Sequence, residues 1–281
     1  MALSPPPVVD TRAFFRPVSS ALVGLLRGLA PDDFTRGTIA GSWTVRDVLS
    51  HLVDLTLRRV SFQRDVLVPP PPPFPIQSER DVVRFINGLN HEWVAATQRL
   101  SPRVLTELFE LASRDLAAFF EVRPLEAPAL FGVSWAGEET SAGWFDIGRE
   151  FTELWHHQMQ IRLAVGAEPL ADARYLNAVI SISMRALPHV YRDVSAEDGT
   201  TIALVVDGPA GGSWALTRQS GRWTLWAGAP DRADAGARLS DDTAWRLLYN
   251  ALPSAPASKA IAIDGRAELV TPLFHARSII V

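Results

Sequence analysis

Between Arg149 and Gln158 the chain reads Arg-Glu-Phe-Thr-Glu-Leu-Trp-His-His-Gln, a run with two carboxylates and two adjacent imidazoles. On a helix, residues four apart share a face about one turn apart, so Glu153 and His157 point the same way and can grip one ion. Glu–His pairs at this spacing serve helix-bundle metal sites, where side chains converge from facing helices. Two ligands hold an ion poorly, and His51 is the best candidate for a third. Two histidines and a glutamate form a known catalytic zinc set with an open coordination position. Spacing leaves competitors in place. Glu150, seven residues before His157, and His156, three residues after Glu153, also share helix faces with the pair. Asp54, three residues after His51, can be a fourth ligand or a partner of one, and the favoured expectation for it is a solvated helix residue. Taken singly, each histidine of the chain reads more simply as a packing or surface residue; only the combination points to a metal.

Composition narrows the chemistry. With 281 residues, 47% of them apolar, the chain is long enough for a full core and two domains. A net charge of −4 and the lack of a Lys/Arg block argue against a nucleic-acid partner. The cysteine count is zero, which excludes disulfides, thiolate ligands and a cysteine nucleophile. Any metal must therefore be held by His and carboxylate, and any thiol chemistry needs a thiol brought in as cosubstrate. The stretch Met1–Pro7 lacks the basic region and apolar core of a signal peptide. Apolar runs such as Ala21–Leu26 fall far short of the roughly 20 residues that span a bilayer. The expectation is a cytoplasmic protein with no membrane partner.

The elements that must position these residues follow from periodicity. Apolar residues at three- and four-residue steps predict a helix over Thr11–Leu29, with Asp10 as N-cap and Pro17 delaying or kinking it. Thr44 and Asp47 resemble a capping box, and the next helix should run from Val45 to Val66 with His51 two turns inside, towards the interior. Val68–Pro75, rich in proline, cannot be helix; it reads as an extended surface spacer about 25 Å long. Ser78 caps a helix over Glu79–Leu100, with Asn87-Gly88 as a possible irregularity, and Pro102 opens another over Arg103–Phe120. Residues 121–143 form a long loop. The central helix covers Trp144–Val165 and ends at Gly166, and a further helix covers Ala173–Leu187, stopped by Pro188. The period then changes. Thr200–Asp207, Ser213–Arg218 and Arg222–Trp226, joined by Gly-containing turns, predict an antiparallel meander. A short helix at Asp241–Leu248, a fourth strand at Ala260–Ile263 and a last helix at Ala267–Ile279 complete the chain. The fold class expected is a helical domain over residues 1–195 followed by a small α+β domain over 196–281.

Trp43-Thr44-Val45-Arg46-Asp47-Val48-Leu49-Ser50-His51 resembles the Trp-x-x-x-Asp-x-x-x-His stretch of the DinB-like four-helix metalloproteins, and of their mycothiol-dependent maleylpyruvate isomerase branch in particular. Arg149, Glu153 and His157 match that branch's second motif, and Ile161–Gly166 looks like its usual continuation. The resemblance implies that His51, Glu153 and His157 are the metal ligands and leaves His156 out. It implies a DinB-like four-helix bundle with extra helices, followed by a sterol-carrier-like α+β module. The proline-rich connector at Pro69–Pro75 and Gln160, where an Asp is common, depart from the family pattern.

The function implied is a metal-dependent enzyme using a low-molecular-weight thiol, either an S-transferase or a maleylpyruvate isomerase-like cis–trans isomerase. Its cofactor would be a divalent metal, zinc or nickel, and its partners a thiol cosubstrate and a small-molecule electrophile. The alternatives are a non-catalytic metal-binding or stress-response protein and, more weakly, a carrier of an apolar ligand. In the resembled isomerase an arginine of the second domain serves the substrate. Among Arg218, Arg222, Arg246 and Arg266, the one expected to meet a substrate carboxylate is Arg266, at the start of the last helix.

Overall fold

The computed structural model describes residues 3–170, 172–252 and 259–279. They divide into two compact units: one made of residues 10–130 and 150–170, the other of residues 3–9, 131–149 and 172–279.

The first unit is helical: α1 (Phe15–Arg27), α2 (Val45–Arg59), α3 (Glu79–Ala96), α4 (Pro102–Val122) and the greater part of α5 (Gly143–Val165). α1 is preceded by a 3-10 turn, Arg12–Phe14, and Asp10 accepts from the Arg12 backbone rather than capping α1. Pro17 lies in the first turn of α1, where its missing N–H leaves no gap in the ladder. Thr44 and Asp47 form the expected reciprocal box at the start of α2: the Asp47 carboxylate accepts the Thr44 backbone N–H at 3.0 Å, and the Thr44 hydroxyl accepts from Asp47 N at 3.3 Å. Regular α2 stops at Arg59, passes into a π-type turn at Val60–Arg64, and does not reach Val66 in helical form. Val66 has φ of +57°, a left-handed conformation costly for a β-branched residue. Ser78 caps α3, which runs unbroken through Asn87-Gly88. α4 packs against α1 and α2, and α3 against α2. Phe14 and Phe15 meet Phe151 of α5, and Phe15 also meets Phe120 of α4. α5 ends at Gly166, whose φ of +68° suits only a residue without Cβ.

The second unit is built on a mixed five-stranded sheet in the order β3-β2-β1-β4-β5: β1 (Thr201–Asp207), β2 (Gly212–Gln219), β3 (Arg222–Ala227), β4 (Ala235–Ser240) and β5 (Ala262–Gly265). The meander β1-β2-β3 is antiparallel, as expected. β4 corrects the four-strand expectation: it lies parallel to β1 and antiparallel to β5. Its sequence, Ala-Gly-Ala-Arg-Leu-Ser, has little β propensity, so pairing and burial decide its state. Ile202, Leu204 and Val206 of β1 stand opposite Ala235, Ala237 and Leu239 of β4, and all six are buried on one face. The fourth strand expected over Ala260–Ile263 sits two residues later, as β5. Further helices among the described residues include α6 (Ala173–Ser183), α7 (Leu187–Val190), α8 (Asp241–Leu248) and α9 (Ala267–Val270). Pro188 opens α7 instead of ending α6, because proline is tolerated in a first turn. The single last helix expected over Ala267–Ile279 is instead α9 followed by a 3-10 turn, Thr271–His275, with Pro272 at its start.

Candidate metal centre

Two features set the site's frame. His51 lies two turns inside the capped α2, and α3 fixes that stretch from behind. The Trp93 indole donates to the Ser50 carbonyl at 2.9 Å, and the Ser50 and Thr97 hydroxyls meet at 2.5 Å. α5 runs antiparallel to α2, as the cross-helix pairs show: His51 faces His157, while Arg59, eight residues on, faces Glu150, seven residues back.

The geometry brings His51, Glu153 and His157 together. Each offers one ligand atom, and these atoms lie within 4.8 Å of one another. The rings of His51 and His157 meet edge to face with centroids 4.8 Å apart, and Trp43 covers His51 at 4.9 Å. Nε2 of His157 sits 3.3 Å from the Glu153 carboxylate. Its Nδ1 contacts Gln160 Oε1 at 2.7 Å. Glu150 and His156 are engaged elsewhere. Glu150 forms a buried ion pair with Arg59. His156 Nδ1 contacts the Thr152 carbonyl at 2.8 Å, with its ring against that of His157. Asp54 corrects its expectation: it is buried, 6% exposed, and paired with Arg58 at 3.0 Å. Burial raises its carboxyl above the ordinary value against the pull of Arg58.

Burial holds His51 well below the usual imidazole range; His157, Arg58 and His156 push the same way, and Glu153 opposes them without reversing the result. Burial likewise lowers His156 to about 3, with His157 adding to it. For Glu153, burial works against the ionised form, but His156, the hydrogen bond from His157 and His51 outweigh it and pull the carboxyl down to about 2. The centre thus sets the half-buried Glu153 carboxyl among the buried imidazoles of His51, His156 and His157.

Such a donor set fits a divalent cation. The Glu153 carboxylate meets Nε2 of His157 at 3.3 Å, and Nδ1 of His51 is buried with no hydrogen-bond partner. Imidazole and carboxylate together suit zinc and its neighbours in the first transition row. Beside Glu153 lies a cavity of about 20 Å³ lined by Phe15, Leu52, Thr56, Phe109, Glu150 and Glu153, space for about one water.

Residues 15–162 match the family model of the mycothiol maleylpyruvate isomerase N-terminal domain, a stretch that contains all three converging residues. The chain belongs to this family. Two crystal structures of a mycothiol-dependent maleylpyruvate isomerase, one of them a histidine-to-alanine mutant, are similar in fold. Each has a TM-score of 0.53 at 14% identity, covering 92% of this chain and 93% of that one. No curated protein matches the chain. In this chain a helical N-terminal region accompanies a sheet-containing one. Among the described residues, no helix is long and apolar enough to cross a membrane.

Arg266 lies in the sheet-containing unit, just after β5, with its side chain exposed and Nε donating to Glu268 at 2.9 Å. Arg246 pairs with Asp242, and Arg218 packs over Trp223 with Nε and Nη1 buried and unpartnered. The contact between Gln160 and His157 went unread in the sequence, although the i,i+3 spacing was there to show it.

Proposed function

We propose that this chain is a metal-dependent enzyme that uses a low-molecular-weight thiol, an isomerase of the maleylpyruvate type or a thiol S-transferase. The observation that carries it is the convergence of His51, Glu153 and His157 in a buried centre of a chain belonging to this family. These three residues would hold zinc or nickel. A divalent ion held there supplies Lewis acidity, which lowers the pKa of a thiol from about 8.5 and yields the nucleophilic thiolate at neutral pH. The protein's own groups do the rest. Burial holds His51 well below the usual imidazole range, which favours the bare nitrogen that a cation needs. In the isomerase chemistry, the thiol sulfur adds to a conjugated double bond, the resulting single bond rotates, and the sulfur leaves, so thiol and proton are returned unchanged. In the transferase chemistry the carbon–sulfur bond persists.

In the same proposal the C-terminal region is a sterol-carrier-like module, and Arg266 meets the carboxylate of an anionic substrate. Its present partner Glu268 is exposed, and such surface pairs are worth about 0–1 kcal/mol, so exchange is cheap. The test is turnover of electrophiles by zinc-loaded and metal-stripped protein across a panel of low-molecular-weight thiols. Turnover should require both metal and thiol, and Arg266→Ala should weaken anionic substrates more than neutral ones, by about 1–3 kcal/mol. Metal binding without turnover on any thiol would favour the second reading, a non-catalytic metal-binding protein. The small volume beside Glu153 is the observation that supports that reading.

A further inference from the structure

Nδ1 of His157 and Oε1 of Gln160 are 2.7 Å apart, three residues apart on α5 and both buried, at 6% and 4% exposure. The other ring nitrogen, Nε2, faces the Glu153 carboxylate at 3.3 Å. The ring has little freedom to turn, packed against His156 with centroids 4.0 Å apart and against His51 at 4.8 Å. A neutral imidazole carries one N–H and one lone pair, and whichever nitrogen hydrogen-bonds as donor leaves the other as ligand.

We propose that Gln160 is a positioning residue of the centre: its carboxamide oxygen takes the Nδ1 proton of His157 and so presents Nε2, beside Glu153, as the ligand atom. This rests on the metal assignment made above and adds a property of the carboxamide itself. A carboxylate at 160 would accept the same proton and raise the basicity of Nε2 further, whereas the carboxamide oxygen, already turned to Nδ1 at 2.7 Å, orients the ring with less gain in affinity. Partners of this kind commonly change metal affinity 10–100-fold when removed.

The experiment is zinc binding, measured by competition with a chromophoric chelator, on the full chain and on Gln160→Leu and Gln160→Glu. It is paired with imidazole 15N spectra of metal-free and zinc-loaded protein. Gln160→Leu should bind zinc roughly 10–100-fold more weakly and Gln160→Glu roughly tenfold more tightly. In the spectra, His157 of the zinc-loaded protein should carry its proton on Nδ1, and Gln160→Glu should show that tautomer already without zinc. The opposed signs of the two variants guard against a folding defect, which would weaken both. Zinc binding that is unchanged in both variants overturns the role of Gln160 and leaves the metal assignment standing. A full chain that takes up no zinc overturns both. A proton on Nε2 of His157 in the zinc-loaded protein overturns the role of Gln160 alone.

Discussion

Two polar layers cross from α2 to α5, about two turns apart along the same helix pair. At the end of α2, Arg59 meets Glu150; nearer its start, His51 meets Glu153 and His157. The first layer pairs one positive charge with one negative, in contact and buried. The second does not. It has a carboxylate, a His51 imidazole that burial holds well below its ordinary range, and a ring nitrogen with no hydrogen-bond partner. Hydrophobic surroundings are common to both, so burial alone does not mark a site. What separates them is the three converging ligand atoms and the unpartnered ring nitrogen, which a cation would satisfy.

Breaking each layer in turn should have opposite consequences. Glu150→Ala removes the buried carboxylate that Arg59 pairs with and should cost about 3–5 kcal/mol of stability in denaturant unfolding. It should leave the zinc content of the folded protein unchanged. His51→Ala removes a ligand and a group whose Nδ1 was unsatisfied. Its metal-free stability should fall by clearly less than that of Glu150→Ala, while elemental analysis should find the metal lost. His156→Ala should retain it. Full metal occupancy in His51→Ala would erase the distinction between the layers.

The second layer should also show itself in acid. An unfolded histidine takes up a proton near pH 6.5. His156 is lowered to about 3 in the fold and His51 is held well below its ordinary value. Between those values the unfolded chain binds more protons than the folded one, so stability rises with pH up to about 6.5 and declines below it. Each such group contributes at most about 1.4 kcal/mol per pH unit. Glu153, lowered from 4.5 to about 2, adds a loss of the same sign as pH falls through that lower window. Urea midpoints of metal-free protein at pH 7.5, 6 and 5 should therefore decline, and His51→Phe should flatten the decline. A variant that declines as steeply as the parent would mean that His51 is charged in the fold. The groups that bear on it are His157, Glu153, Arg58 and His156, on both helices.

The two layers were unequally legible in the chain. Glu153 and His157 could be paired from their four-residue spacing, and His51 placed inside α2 from its cap, because both follow from helix geometry. The Arg59–Glu150 pair could not be seen, since nothing in a sequence says which arginine of one helix reaches which glutamate of another. Asp54 was misjudged for the same reason: its burial depends on how α2 lies among its neighbours, and its partner Arg58 was not weighed. Gln160 stood out only as a departure, while its role needs the ring of His157 to be held in place. In the other unit, the meander β1-β2-β3 was plain from alternation and Gly turns. β4 was not, because an Ala-Gly-Ala run becomes strand only through its neighbours β1 and β5.

The smallest predicted effect separates the layers along a single helix. The Thr44–Asp47 box stands at the end of α2 that holds His51, about two turns away, whereas Arg59 is about four turns away. Thr44 also follows Trp43, whose ring lies 4.9 Å from that of His51. Thr44→Ala removes the hydroxyl that accepts from the Asp47 N–H and donates to its carboxylate at 2.7 Å, and should cost about 1 kcal/mol. The loss should be local, because helix ends fray from the cap inward. Amide exchange should speed up from Arg46 towards Leu49 and stay unchanged around Arg59, with zinc affinity falling less than in Gln160→Leu. Thr44→Ser, which keeps the hydroxyl, should restore both. Exchange that speeds up equally along the whole of α2 would show that the helix opens as one unit, and that the metal layer cannot be loosened apart from the ion pair.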